Sequence, residues 1–361
     1  MTDQDKPAEP DGPVDEAAAG QLATQVMTYA LGQAMVEMGY LGRELGMYDA
    51  MRRRGPCSAA EVAARTDLHE RWVLEWLRCQ AAGGLVNAHG DDRFKLTPTQ
   101  AAVVVDEGSR FFRGSPWVNL RQSMERVPAL LSSFRSGIGQ PLPGDRDPAH
   151  YAGILEEFQR EMLVTAVLPA VDGGVEALQG GGSFVDIGCG RGTAVLTVAD
   201  AFPAAHAHGW DPWAQGLEWA RDRAAERSIT NVEWHEASVL DLPGDARFDV
   251  ALMADCVHHL PDPVGALSAV RSALTPGGVL LVIEFRVEAF RSSPDFAAFA
   301  YAASIRGGCL HDGMPPGGGA GLGMLGFDED TGRSLAEAAG FRSFRTLPVE
   351  HWINVAYELR P

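Results

Sequence analysis

The sequence predicts an α/β protein: a doubly wound sheet in the C-terminal half, preceded by an all-helical, winged-helix part. Three observations carry this. From residue 183 onward, short apolar runs alternate regularly with helical stretches, the pattern of a parallel sheet with helices on both faces. Residues 58–97 read as helix, helix and hairpin, which together make a winged helix. A glycine loop, VDIGCGRGTA (185–194), closes the first strand and opens a helix.

In chain order, residues 1–20 are Pro-, Asp- and Glu-rich with almost no large apolar side chains. Burial cannot offset their ordering entropy, so a disordered tail is expected. From Gln21 to about Arg54 the pattern is helical, with Leu22, Val26, Met27, Tyr29, Leu31, Met35, Val36, Met38, Leu41 and Leu45 spread nearly all round. Such a helix must be covered on most sides. A second subunit is the expected cover, so residues 21–110 read as a winged-helix dimerisation domain. Ser58 caps a short helix and Glu61 completes a capping box. The next helix offers Trp72, Val73, Leu74, Trp76 and Leu77 to the core and stops at Gly83-Gly84. VNAHGDDRFKLT then has the alternation and Gly-Asp turn of a hairpin.

Residues 111–178 read as a helical connector, interrupted by the Pro/Gly loop 139–148. Gly180-Gly181-Gly182 marks the boundary to the sheet domain, 179–361. There the expected strands are SFVDI, HAHGWD, NVEWHE, RFDVALMA and VLLVIEF, separated by helices.

The chain of 361 residues carries 30 Lys plus Arg against 48 Asp plus Glu, a net charge of −18. That excess repels phosphate backbones and argues against nucleic-acid binding. Residues 21–110 are nearly balanced at −1, but the helix that would enter a groove holds Asp67, Glu70, Arg71, Glu75 and Arg78 and has no net positive charge. The five cysteines form no C-x-x-C pair, which argues against a disulfide framework or a Cys-based zinc site. No signal-peptide pattern opens the chain and no apolar run is long enough to span a bilayer. A cytoplasmic protein with no membrane partner is expected.

The glycine loop has the spacing G-x-G-x-G at Gly188, Gly190 and Gly192, with Thr193 where a dinucleotide fingerprint wants a third small residue. Asp186, two residues before the first glycine, suits a ligand bearing an ammonium. Asp211 ends the second strand 21 residues after Gly190, where an acid accepts ribose hydroxyls. The chemistry wanted is a nucleoside carrying an amino acid. VDIGCGRG, GWD, EASVLDLP, FDVALMADCVHHLPDP and LTPGGVLLVIE, in this order, resemble the successive motifs of class I S-adenosylmethionine (SAM) dependent methyltransferases. The resemblance implies a Rossmann-like methyltransferase sheet and SAM as cofactor. It implies that Asp186, Gly188 and Gly190 hold the methionine moiety, with Gly192 in the same loop, and that Asp211 holds the ribose. Ser238 falls where many relatives have an Asp facing the adenine amine, with the Val239 backbone as an alternative contact; Asp255 completes the cofactor set.

LGMYDAMRRRGPCSAAEVAARTDLHERWVLEWLRCQAAGGLV resembles the N-terminal winged-helix segment of a bacterial small-molecule methyltransferase family. The layout also resembles plant phenol O-methyltransferases, where that segment dimerises and roofs the substrate. In those enzymes an M-x-x-x-x-H-D-W-x-D run supplies a general-base histidine. Met253, His258 and Asp262 match the run, His259 replacing the Asp and Leu260 the Trp. His258 and His259 are therefore the candidate catalytic residues for methyl transfer to a hydroxyl oxygen of a small organic acceptor. Two alternatives stand beside this. His258, His259 and His311, with Asp312 adjacent, resemble the metal ligands of a C-methyltransferase acting on an aromatic α-keto acid, although no metal is favoured. A SAM-sensing winged-helix transcriptional regulator is the non-enzymatic alternative. Phe290, Phe296, Phe299 and Tyr301 are candidates for an apolar acceptor pocket or for simple core packing, and Arg121 and Arg126 for contact with an acidic acceptor.

Overall fold

The computed structural model describes residues 13–90, 92–106, 109, 111–118, 120–140, 154–245 and 248–361. The chain divides into two units, Met1–Met124 and Glu125–Pro361.

In the first unit, α1 (Glu16–Glu44) begins where the Asp15 carboxylate accepts from the N–H groups of Ala17 and Ala18. The helix thus starts inside the segment expected to be disordered, because a capping Asp precedes an Ala-rich run of high helix propensity; residues 1–12 lie outside the described residues. It ends at Leu45, ahead of the expected Arg54, where Gly46 turns at φ +68° into α2 (Met47–Met51). β1 (Cys57–Ser58) leads into α3 (Ala59–Thr66), whose Ser58–Glu61 capping box is complete. Then come α4 (Glu70–Ala82), β2 (Asn87–His89), β3 (Arg93–Lys95) and α5 (Pro98–Val104). The strands pair antiparallel in the order β1-β3-β2, as a winged helix requires. Two short helices follow, α6 (Ser115–Val118) and α7 (Leu120–Glu125).

Val73, Trp76 and Leu77 are buried, as expected, but Trp72 is 79% exposed and Leu74 only partly buried. Five successive residues, 72–77 less Glu75, span more than one helix face, so they cannot all point inward. Arg71 and Arg78 on the outer face are paired with Glu75 and Asp92. Along α1, Leu22, Val26, Met27, Tyr29 and Leu31 are each more than half exposed.

In the second unit α8 (Val127–Ser136) precedes α9 (Ile154–Met162), which widens into a π-helical turn at Leu163–Val167, and α10 (Gly174–Gln179). Most of the predicted 139–148 loop lies outside the described residues. The sheet strands are β4 (Ser183–Ile187), β5 (His206–Trp210), β6 (Val232–His235), β7 (Phe248–Ala254), β8 (Leu274–Phe285), β9 (Ser343–Thr346) and β10 (Asn354–Arg360). Their order is β6-β5-β4-β7-β8-β10-β9, parallel except for β10, which runs antiparallel to both neighbours. The helices between strands are α11 (Thr193–Ala201), α12 (Ala214–Glu226) and α13 (Pro263–Ala273). An insert after β8 contains α14 (Val287–Arg291), α15 (Pro294–Arg306) and α16 (Cys309–Gly313), and α17 (Glu329–Ala338) leads into β9.

The central strands bury both faces, as a doubly wound sheet demands. Phe184, Val250, Leu252, Leu281 and Ile283 pack on one side with Val195 and Val198; Val185, Ala251, Met253, Leu280 and Val282 pack on the other with Leu267 and Val270. Strand order reverses beside β4, where the chain returns from β6 to lay β7 against it. The carboxyl ends of β4 and β7 therefore flank a crevice of the kind where such sheets bind ligands. Among the described residues, no helix is long and apolar enough to cross a membrane.

Candidate active site

The loop after β4 and the loop after β7 meet at this crevice. Asp186 is the penultimate residue of β4, 1% exposed, and neither carboxylate oxygen has a hydrogen-bond partner among the described residues. Burial first, and then the charge of Asp211, push its carboxyl well above the usual range. An unpaired buried carboxylate is costly unless something else satisfies it. Asp211 follows β5 and accepts from Gly190 N–H at 2.8 Å through one oxygen and from Trp213 N–H at 2.8 Å through the other. It thereby clamps the glycine loop as well as facing the crevice.

Gly188, Gly190 and Gly192 all take positive φ, at 73°, 53° and 71°, but for different reasons. A Cβ on Gly188 would meet Cys256, and one on Gly192 would lie 2.4 Å from the Trp234 indole and 2.9 Å from Ala220, whereas one on Gly190 would meet nothing within 4 Å. Gly192 is thus required by the packing of α11 against β6 and α12, and Gly190 is the glycine that leaves open space for a ligand. Gly192→Ala should lower stability by about 1–3 kcal/mol through overpacking on top of the positive-φ strain. Gly190→Ala should carry the strain alone, a difference readable from urea midpoints.

Ser238 stands at the start of the turn that follows β6. Its hydroxyl caps the 3-10 turn Val239–Asp241, accepting from Leu240 N–H, while Asp241 accepts from Ser238 N–H. Its carbonyl accepts from the Trp210 indole at 2.8 Å, and Trp210 stacks on His235 at 4.5 Å. Val239, the first residue of that turn, is buried.

The two histidines lie in a 3-10 turn, Val257–His259, just after β7. Their rings are 4.4 Å apart, and each is held through Nδ1 by a different carboxylate. His258 is fully buried and meets Glu284 at 2.6 Å; the other Glu284 oxygen accepts from the N–H groups of Val257 and His258. Nε2 of His258 is buried without a hydrogen-bond partner. Burial works against its charged form, but Glu284 more than reverses this and raises the pKa well above the usual imidazole value. His259 is partly open and meets Asp312 at 3.0 Å; burial again opposes the charge, and the Asp312 bond carries the pKa to about 9. Asp255, at φ +55°, stands 4.0 Å from His258, and burial ahead of the neighbouring charges brings its carboxyl up to about 7.

His311 is not part of this cluster. Its Nδ1 accepts from Gln140 N–H at 2.9 Å and its Nε2 faces the Ile305 carbonyl at 2.9 Å. Both nitrogens are committed to backbone, so the alternative, unfavoured metal set of His258, His259 and His311 is not brought together; the neighbouring Asp312 reaches His259 instead. Of the aromatic candidates, Phe290 is buried in the insert's own core while Phe296, Phe299 and Tyr301 are exposed. Arg126 donates to the carbonyls of Arg306 and Gly307 at the end of α15.

Sequence reasoning missed two participants. Glu284 was signalled by a lone acid inside the apolar strand VLLVIEF. Cys309, buried at the start of α16, lies beside both histidines; burial raises its thiol pKa, but the imidazoles bring it down to about 6. Nothing in its spacing from residues 258–259 marks it.

Residues 185–280 match the family described as methyltransferase domain, and residues 33–106 match the Rv2258c-like winged HTH domain. The chain is 29% identical over 263 residues to the N,N-dimethyltransferase OxyT of Streptomyces rimosus, covering 68% of this chain and 73% of that protein. It spans less than half the length of other curated relatives, for example 42% of the 27-O-demethylrifamycin SV methyltransferase of Amycolatopsis mediterranei, at 32% identity over 31% of this chain. The mitomycin 7-O-methyltransferase MmcR superposes with a TM-score of 0.67 at 21% identity, over 96% of this chain and 100% of its own.

Proposed function

We propose that the chain is a class I SAM-dependent methyltransferase with a winged-helix N-terminal domain and that it methylates a hydroxyl oxygen of a small organic acceptor, with His258 as general base. The observation that carries this reading is the His258–Glu284 pair at 2.6 Å, buried at the carboxyl end of β7 with Nε2 left over. An amine acceptor needs only to be uncharged, whereas a hydroxyl must lose a proton. A carboxylate behind Nδ1 makes the neutral form of His258 a stronger proton acceptor at Nε2, and because the same carboxylate raises the pKa, that form and turnover with it should gain as pH rises.

Asp186, Gly188, Gly190 and Asp211 would hold SAM. The unpaired Asp186 carboxylate fits its ammonium, Asp211 its ribose hydroxyls, and the open face of Gly190 its close approach to the backbone. SAM supplies a methyl group already activated by the sulfonium, so the chain's own task is to align the acceptor and remove its proton. Glu284 fixes the His258 ring, accepts the neighbouring N–H groups and stabilises the imidazolium once the proton has moved to Nε2. Asp312 positions His259, whose ring lies tilted at 49° beside His258 at the more open side.

The paired arginines on α4 leave no spare positive charge there for a DNA groove, which favours an enzyme over a regulator. The exposed apolar residues of α1 favour a homodimer formed through the N-terminal helices. Sedimentation should give a dimer at micromolar concentration, and Val26→Glu with Met27→Glu should give monomers. The activity itself is tested by release of S-adenosylhomocysteine when a panel of phenols, amines and α-keto acids is offered. Turnover confined to amines would overturn the oxygen assignment.

A further inference from the structure

We propose that His258, His259 and Cys309 form a zinc-binding site whose occupation switches the enzyme off. One nitrogen of each imidazole and the Cys309 sulfur lie within 4.8 Å of one another. With each Nδ1 committed to a carboxylate, at 2.6 Å to Glu284 and 3.0 Å to Asp312, Nε2 is the nitrogen each ring has left, and that of His258 is buried without a partner. Metal-bound histidines characteristically donate their other ring nitrogen to a carboxylate, which fixes the tautomer and raises the ligand's basicity. Here two such carboxylate–histidine arrangements stand side by side, and a thiol completes three ligands of the N,N,S type that zinc favours, leaving a fourth tetrahedral position open.

The approach is tight enough to constrain the backbone. A Cβ on Gly308 would lie 2.6 Å from the Asp312 carboxylate and 2.9 Å from the His259 ring, so Gly308 lets the start of α16 close onto the histidine pair. On binding, whatever protons the Cys309 sulfur and the two Nε2 atoms carry leave to solvent, and the metal takes the thiolate and the two Nε2 lone pairs. Since the inhibition rests on His258 being the base, zinc and the acceptor's proton compete for one lone pair.

Cobalt(II) is the probe for binding, because a thiolate-to-cobalt charge-transfer band reports the sulfur ligand. It thereby distinguishes this site from the thiol-free groups His208, Glu233 and His235, and Asp255, His258 and Glu284. Metal-free protein should bind one equivalent of cobalt with that band, and zinc should displace it. Cys309→Ser should abolish the band, Asp312→Asn should weaken binding roughly 10- to 100-fold, and His311→Ala should change neither. Zinc should inhibit methyl transfer by the native enzyme and not by Cys309→Ser, each compared with its own zinc-free rate. A missing band in the native protein, or a band retained in Cys309→Ser, would overturn the site. Zinc bound through Cys309 without inhibition would leave the site standing and overturn both the switch and His258 as the base.

Discussion

Replacing His258 with alanine should lower kcat by about 10²- to 10⁴-fold, the usual contribution of a positioned general base, while leaving SAM affinity intact. The separation of effects follows from the geometry: His258 sits after β7, whereas the residues proposed to hold SAM sit at the end of β4 and in the loops after β4 and β5. The alanine variant also leaves Glu284 buried without its imidazole, and breaking a buried charged pair costs about 3–5 kcal/mol. Glu284→Gln is therefore the companion variant. It keeps an acceptor for the Val257 and His258 N–H groups while removing the charge behind Nδ1, and it should also lower kcat with little change in the KM for SAM. Stopped-flow single turnovers with both variants check the assignment; folded protein with native turnover would sink it.

Asp186→Asn should weaken SAM binding by roughly 10- to 100-fold, the worth of a charge-assisted hydrogen bond at about 1.5–3 kcal/mol, and should at the same time raise the thermal midpoint of the ligand-free protein. The two effects share one cause. A carboxyl whose folded pKa lies above its unfolded value opposes folding once pH exceeds the unfolded value, and the penalty grows until pH passes the folded value. Burial places Asp186 in this class, so removing its charge stabilises the empty protein at neutral pH. The sign for binding is opposite. Below the raised pKa Asp186 is protonated and has no attraction for an ammonium, so affinity should climb with pH and SAM binding should release a proton. Calorimetry in two buffers of different ionisation enthalpy measures that proton, and Asp186→Asn should erase it. A variant that binds SAM with native affinity would remove Asp186 from the site.

The sheet was legible because its strands are apolar runs buried on both faces and separated by turn residues, and the glycine loop because its acids stand at fixed offsets from it. What was not legible depends on tertiary contact. Gly192 reads like its neighbours in the loop, yet it is fixed by an indole from Trp234, 42 residues onward. His311 and Cys309 are two residues apart on one short helix, and only the fold decides that one ring is spent on the Gln140 and Ile305 backbone while the thiol faces the histidines. The antiparallel placement of β10 between β8 and β9 is likewise a pairing that local pattern does not encode.

The unequal anchoring of the two histidines bears on how acceptor preference can diverge. His258 is gripped by Glu284, a residue of the sheet itself, whereas His259 depends on Asp312 from the insert after β8. Residues 287–306 can therefore drift, exchange or be redesigned to suit a new acceptor while the His258–Glu284 pair, proposed to accept the proton, keeps its geometry. Such changes reach catalysis only by disturbing the short stretch from Gly308 to Asp312. Inherited chemistry and variable selectivity thus occupy adjacent but separable pieces of one chain.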